Sequence, residues 1–237
     1  MGGMNLSVKL FSDGADVADM LRVYKEGLVR GFTTNPTLMK KAGICDYEAF
    51  AREALHQITD CPISFEVFSD DFASMEREAR IIHSWGPNVN IKIPVMNTQG
   101  QSTTPLIQKL SAEGMQLNVT AILTLQQVRE VVDALAPTVP AIVSVFAGRI
   151  ADTGRDPIPL MKQAREIVRQ KPLAELLWAS TREVLNIFQA DACGCDIITV
   201  TPDIMNKLAM FDKDLHQLSL ETVRMFYQDA QAAGFKL

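Results

Sequence analysis

What the chain lacks narrows its class first. No apolar run among its 237 residues reaches the ~20 that a helix needs to cross a bilayer. The opening residues, Met1-Gly2-Gly3-Met4-Asn5, have no hydrophobic core of a secretory leader. Leu6 stands where a myristoylation signal carries Ser or Thr, so Gly2 is not read as a lipid anchor. No excess of basic residues exists: 23 Lys and Arg against 28 Asp and Glu give a net charge of −5. That balance argues against a broad nucleic-acid surface and leaves room for a local basic pocket that takes a small anion. Cysteine is scarce, and the pair Cys193-Gly194-Cys195 has no second Cys/His pair nearby to complete a metal site. Together with Cys45 and Cys61 it reads as reduced thiol in a cytoplasmic protein. No Gly-x-Gly-x-x-Gly follows the first strand and no P-loop is present, which removes the usual dinucleotide and nucleotide-phosphate signatures. No break in composition divides the chain, so residues 1–237 are read as one domain.

What is present is a regular alternation. Strand-like apolar runs fall at 8–13, 31–36, 63–68, 89–95, 116–123, 141–147, 174–180 and 195–201. Amphipathic helical stretches follow at 15–29, 46–58, 71–85, 102–113, 125–135, 157–170 and 181–192, with Pro202 opening the eighth. Thr124 is placed to cap the helix that follows it. Strands separated by crossover helices predict a parallel sheet. Eight such units in a chain of this length predict a closed (β/α)8 TIM barrel, with a doubly wound open sheet as the structural alternative. A further helix over 215–233, with Leu215, Leu218, Val223, Phe226 and Ala230 near helical spacing, packs either on the chain's own barrel or on a neighbouring subunit.

The fourth strand, Val89-Asn90-Ile91-Lys92-Ile93-Pro94-Val95, carries a lysine among alternating apolar residues. A buried cation is costly unless paired or neutralised. Polar residues recur at the C-terminal ends of the other strands, which is the active end of such barrels. They are Asp13, Thr33-Thr34-Asn35, Glu66, Asn118 and Thr120, Ser144 with Arg149 just after it, Ser180 with Arg182, and Thr199 with Thr201. Alternation puts Asn118 and Thr120 on one face and Ser144 and Phe146 on another. Acid, amide, hydroxyl and amine on successive strands suit imine chemistry. An amine withdrawn from water loses the preference for its charged form and can attack a ketone. The protonated imine then drains electrons from a neighbouring C–C bond, provided that acid–base groups move the protons. Asp13 is placed to take the hydroxyl proton, and Glu66 with Thr120 to hold a water. Arg149, Ser180 and Arg182 predict a phosphate site, since guanidinium matches phosphate oxygens in pairs and a helix start after Ser180 would favour an anion. Arg155, in the stretch 152–157, is a further cation within possible reach of that phosphate.

These residues, in this order, resemble the transaldolase family over essentially all eight strands. The most specific pieces are Gly31-Phe32-Thr33-Thr34-Asn35-Pro36-Thr37, Ile91-Lys92-Ile93-Pro94, Asn118-Val119-Thr120, Phe146-Ala147-Gly148-Arg149-Ile150 and Ala179-Ser180-Thr181-Arg182. The short length is similar to the compact subgroup that includes the fructose-6-phosphate aldolases. The resemblance implies Lys92 as the Schiff-base lysine, Asp13 as the acid/base, and Glu66 with Thr120 as holders of the catalytic water. It implies Thr34, Asn35, Asn118 and Ser144, with Phe146, around the dihydroxyacetone part of the substrate, and Arg149, Ser180 and Arg182 on its phosphate. No metal or organic cofactor is implied. The expected partners are sugar phosphates and further copies of the chain, with neither nucleic acid nor membrane. In the compact aldolases glutamine tends to stand at the position of Glu66 and tyrosine at that of Phe146, so both residues here look like those of true transaldolases. A fructose-6-phosphate-type aldolase is the nearest alternative, and a non-catalytic sugar-phosphate-binding barrel a more distant one that would need neither Lys92 nor Asp13. Trp178 is bulkier than the resemblance leads one to expect, and Gly14 stands where a small hydroxyl residue is commoner. Both bear on sugar specificity.

Overall fold

The computed structural model describes residues 6–236. They fall into two compact units, one running to Met205 and one from Asn206 onward. The first unit is built from β1 (Lys9–Asp13), α1 (Val17–Lys25), β2 (Gly31–Thr33), α2 (Pro36–Lys41), α3 (Tyr47–Gln57), β3 (Ile63–Glu66), α4 (Phe72–His83), β4 (Val89–Pro94), α5 (Thr104–Ala112) and β5 (Leu117–Ile122). It continues with α6 (Leu125–Ala134), β6 (Ala141–Val145), α7 (Ala147–Asp152), α8 (Ile158–Val168), β7 (Ala174–Trp178), α9 (Leu185–Ala192) and β8 (Ile197–Val200), and reaches into α10 (Pro202–Lys207). All neighbouring strands pair in parallel, and β8 pairs with β1 to close the barrel. The open-sheet alternative is thereby excluded. The second unit holds a short 3-10 turn and α11 (Leu215–Ala233), whose side chains Leu215, Val223, Phe226 and Tyr227 are exposed.

Local chemistry explains where the elements begin. Asp16, Asn35, Asp46, Asp71 and Thr124 each accept a hydrogen bond from the backbone N–H three residues on, and so cap α1, α2, α3, α4 and α6. Thr124 and Gln127 form a reciprocal capping box. Two short helices stand where the sequence pattern predicts only loop or strand. One is α2, because Asn35 leaves the strand to cap and Pro36 then fits the first helical turn. The second strand therefore ends at Thr33 and not at Pro36. The other is α7, directly after β6.

The outer faces of the strands, among them Phe32, Phe65, Ile91, Ile93, Val119, Val143 and Trp178, are buried. Inside the barrel Phe11, Ile142, Leu177, Ala179 and Ile197 form an apolar floor, with Phe146 packed against it. Above this floor the interior turns polar. Pairing registers bring Glu66 beside Lys92, Lys92 beside Asn118, and Phe11 beside Gly31. A side chain on Gly31 would meet the Phe11 ring at 2.4 Å, so the absent Cβ makes room for that ring. The Gly31→Ala variant is expected to lose about 1–3 kcal/mol through overpacking, read as a lower midpoint in urea unfolding. An unchanged midpoint would contradict this account of the floor.

Candidate active site

The C-terminal mouth of the barrel holds a cavity of about 400 Å³. Asp13, Thr33, Asn35, Glu66, Lys92 and Thr120 are among its lining residues, as are Ser144, Phe146, Arg149, Ser180 and Arg182. Eleven residues from seven strands and their following loops thus open into one chamber. Lys92 lies within it and is only 6% exposed. Its Nζ is 3.2 Å from Glu66 Oε2 and donates to the Thr34 carbonyl at 2.9 Å.

Asp13 is the second ionisable group near the lysine. Its carboxylate accepts from Thr33 Oγ1 at 2.8 Å. The Thr33 hydroxyl in turn meets Thr199 Oγ1 at 2.5 Å. Burial pushes the Asp13 carboxyl above the usual carboxylate range, against the opposing pull of Lys92 and of the hydrogen bonds from Thr33 and Asn35. A group in that state is suited to carry a proton at one step and release it at the next.

Two sequence candidates stand behind the cavity wall. Asn118 is fully buried. Its Oδ1 accepts from Ser144 Oγ at 2.6 Å and its Nδ2 donates to Ser64 Oγ at 3.0 Å. Thr34 is equally buried and gives its hydroxyl to the Ser64 carbonyl at 2.9 Å. Ser64, which the sequence pattern does not mark as a site residue, lies two residues before Glu66 on the same face of β3. The strand-end threonines Thr33, Thr199 and Thr201 all line the cavity.

Thr120 Oγ1 is buried with no hydrogen-bond partner among the described residues. It lines the cavity together with Glu66, and an orphaned hydroxyl in a polar cavity suits a bound water or substrate oxygen. Its position follows from an irregularity in β5. The β5–β6 register shifts between Val119 and Ile122, and Ala121 takes a left-handed backbone with φ +61°. An extra residue of this kind re-aims side chains at barrel rims.

Across the cavity, Arg149 and Arg182 are exposed at the mouth, and the Arg149 guanidinium lies 5.9 Å from the centre of the Phe146 ring. Arg182 pairs with Asp152. Ser180 does not open a helix: it has φ +63°, and α9 begins only at Leu185. The backbone N–H groups of Arg182 and Glu183 are taken by Asn186 Oδ1 at 2.9 and 3.1 Å. Cation and hydroxyl, and not a helix start, are thus what this rim offers an anion. A Cβ on Gly148 would lie 1.5 Å from the Ser180 carbonyl oxygen, so glycine lets the two loops interlock. Arg155 bonds to Thr153 Oγ1 and does not line the cavity. Trp178 is fully buried on the outer face of β7 and does not line it either, nor does Gly14.

Against known proteins, a family model described as transaldolase/fructose-6-phosphate aldolase matches residues 10–237. The chain is 34% identical over 230 residues to a protein of Listeria monocytogenes named probable transaldolase 2, covering 97% of this chain and 99% of that one. It is 33% identical over 202 residues to a probable transaldolase of Dehalococcoides mccartyi, covering 85% and 90%. Among solved structures, 3-hexulose-6-phosphate synthase from Salmonella typhimurium superposes with a TM-score of 0.59 at 13% identity, over 84% of this chain and 91% of that one. That likeness is one of fold.

The buried carboxyl generates a pH prediction. The pKa of Asp13 is higher in the folded protein than in the unfolded chain, so its protonated form favours folding. This contribution is complete below the unfolded value of about 4 and is lost as pH rises through the folded value. The Asp13→Asn variant is expected to be more stable than wild type at pH 8, with the gain shrinking to nothing as pH falls to about 3.5–4. Urea unfolding at several pH values measures it, and a difference that ignores pH would refute the burial argument.

Proposed function

Since the chain belongs to the transaldolase/fructose-6-phosphate aldolase family, we propose that it is a transaldolase that moves a dihydroxyacetone unit from a ketose phosphate to an aldose phosphate through an imine on Lys92. The observation that carries this reading is the buried Lys92 amine, held by Glu66 and Thr34 in the same chamber as Asp13.

In this mechanism the Lys92 Nζ lone pair attacks the C2 carbonyl of the ketose. The carbinolamine loses its C2 oxygen as water, with Glu66 and Thr120 handling the water and its proton, and an iminium remains. Asp13 takes the proton of the C4 hydroxyl. The C3–C4 bond then breaks, and its electron pair forms the C2–C3 double bond of an enamine as the iminium charge is discharged. The shortened aldose phosphate leaves. A second aldose phosphate binds, the enamine carbon attacks its aldehyde, and Asp13 returns the proton to the new hydroxyl. Water adds at C2 and releases Lys92. Asn35 and Ser144 bind the ketol hydroxyls, with Asn118 setting the direction of the Ser144 hydroxyl from behind. Arg149, Ser180 and Arg182 hold the phosphate of donor and acceptor in turn.

Phe146 favours transfer over simple release. It presents a ring and no hydroxyl to the cavity, so this wall has no acid with which to protonate the enamine carbon. The enamine therefore waits for an aldehyde. We further propose that the protein works in the cytoplasm, consistent with its four free cysteines, and as a homo-oligomer, consistent with the exposed apolar side chains of α11.

Turnover of fructose 6-phosphate is expected to fall by at least about tenfold, equivalent to ~1.4 kcal/mol of barrier, when the acceptor aldose phosphate is left out. Undiminished release of free dihydroxyacetone would favour an aldolase. The Phe146→Tyr variant is expected to raise acceptor-independent release severalfold, and no change would remove Phe146 from the explanation.

A further inference from the structure

The β2–β3 ladder stops where the site begins. The Phe32 N–H bonds the Pro62 carbonyl at 2.9 Å and the Thr34 N–H bonds the Ser64 carbonyl at 3.2 Å. Continued, the same two-residue step would bring the Glu66 carbonyl to the nitrogen of residue 36, but the chain leaves the ladder at Asn35 and residue 36 opens α2. That residue is proline, which has no N–H to give. An edge carbonyl at this point, on the residue whose side chain faces Lys92, would be left without its ladder donor. Tyr47 fills the gap: its phenol, reaching over from α3, donates to the Glu66 carbonyl at 3.0 Å. The ring is gripped edge-on by Phe65, Phe68 and Trp85, with centroids 6.2, 5.4 and 5.5 Å away. Burial raises the phenol's pKa, so it stays a donor across the working range.

We propose that Tyr47 is a positioning residue for the Lys92–Glu66 pair: its hydroxyl supplies the donor that the ended β2 ladder does not and fixes the end of β3 that carries Glu66. The reaction role of this pair rests on the function proposed above, whereas the placement of the strand end does not. Loss of a ladder bond here would let Glu66 swing relative to Lys92. The next residue, Val67, donates its N–H to the Lys92 carbonyl at 3.0 Å, so β3 and β4 would loosen at the same point. Substrate hydroxyls and phosphate are held on other strands, and their affinity is unaffected. The cost falls on the steps in which Glu66 handles water.

Tyr47→Phe is the test, since it keeps the packed ring and removes only the hydroxyl. In the full-length protein, amide hydrogen exchange at Val67 is expected to rise about 10-fold, while exchange at Ile91, whose N–H bonds the Gln116 carbonyl, stays within about twofold. In steady-state assays with fructose 6-phosphate and an aldose phosphate, kcat is expected to fall about 5- to 10-fold with KM held within about twofold. In the Glu66→Gln background the same substitution is expected to cost nothing more. Unchanged exchange at Val67 overturns the proposal, and so does an equal loss of kcat in both backgrounds. Absence of turnover in the wild type would instead refute the proposed function, and the exchange at Val67 would still decide the role of Tyr47.

Discussion

Lys92 sits inside the barrel between a carboxylate and a backbone carbonyl, with its Nζ 3.2 Å from Glu66 and 2.9 Å from the Thr34 oxygen. An ammonium group this far from water is sustained only by such partners. The partners must also be removable as a set, because the chemistry needs the amine's lone pair. Each of the surrounding features answers to that demand. The β2 strand ends early, so that the Thr34 carbonyl is free to face the lysine. Glu66 stands directly beside Lys92 on the neighbouring strand, as their pairing as Cα partners requires. Asp13 is close enough to feel the lysine's charge yet is bonded to Thr33 and not to the amine.

The barrel solves a problem of convergence. No single helix or loop could bring an amine, two carboxyls and several hydroxyls into 400 Å³ without like charges meeting. Parallel strands deliver one or two inward residues each, at nearly the same height, with the apolar floor of Phe11, Ile142, Leu177, Ala179 and Ile197 beneath them. Of the three non-glycine residues with left-handed backbone among the described residues, only Asp212 lies away from the cavity. Ala121 and Ser180, both left-handed, lie on it, and backbone strain of this kind is usually maintained where a site needs it.

Much of this was legible in the chain. Strand alternation placed Glu66, Lys92, Thr120 and Ser144 on the cavity, and the end of the first strand placed Asp13 there. Alternation also gave Asn118 an inward face but not its place behind the wall, since alternation fixes a face and not a depth; Thr34 was legible only as a strand-end residue, and its neighbour Thr33 takes the inward face. The short helices α2 and α7 escaped because six residues carry too little periodicity to be read. Ser180 was expected at a helix start, yet its left-handed backbone and the capture of two N–H groups by Asn186 depend on contacts that no local pattern encodes. Trp178 looked like a specificity residue by position alone, and its outward face removes it from the cavity. Tyr47 left only an indirect trace in the sequence: Pro36, at a place where a strand neighbour would want an N–H.

The imine on Lys92 is the claim on which the proposed mechanism stands, and it can be tested by one measurement. The protein is incubated with fructose 6-phosphate, reduced with borohydride, digested and mapped by mass spectrometry. A reduced dihydroxyacetone adduct on the peptide that contains Lys92, absent without sugar and absent in Lys92→Met, is the expected result. An unmodified Lys92 peptide in a protein that turns the substrate over would contradict it.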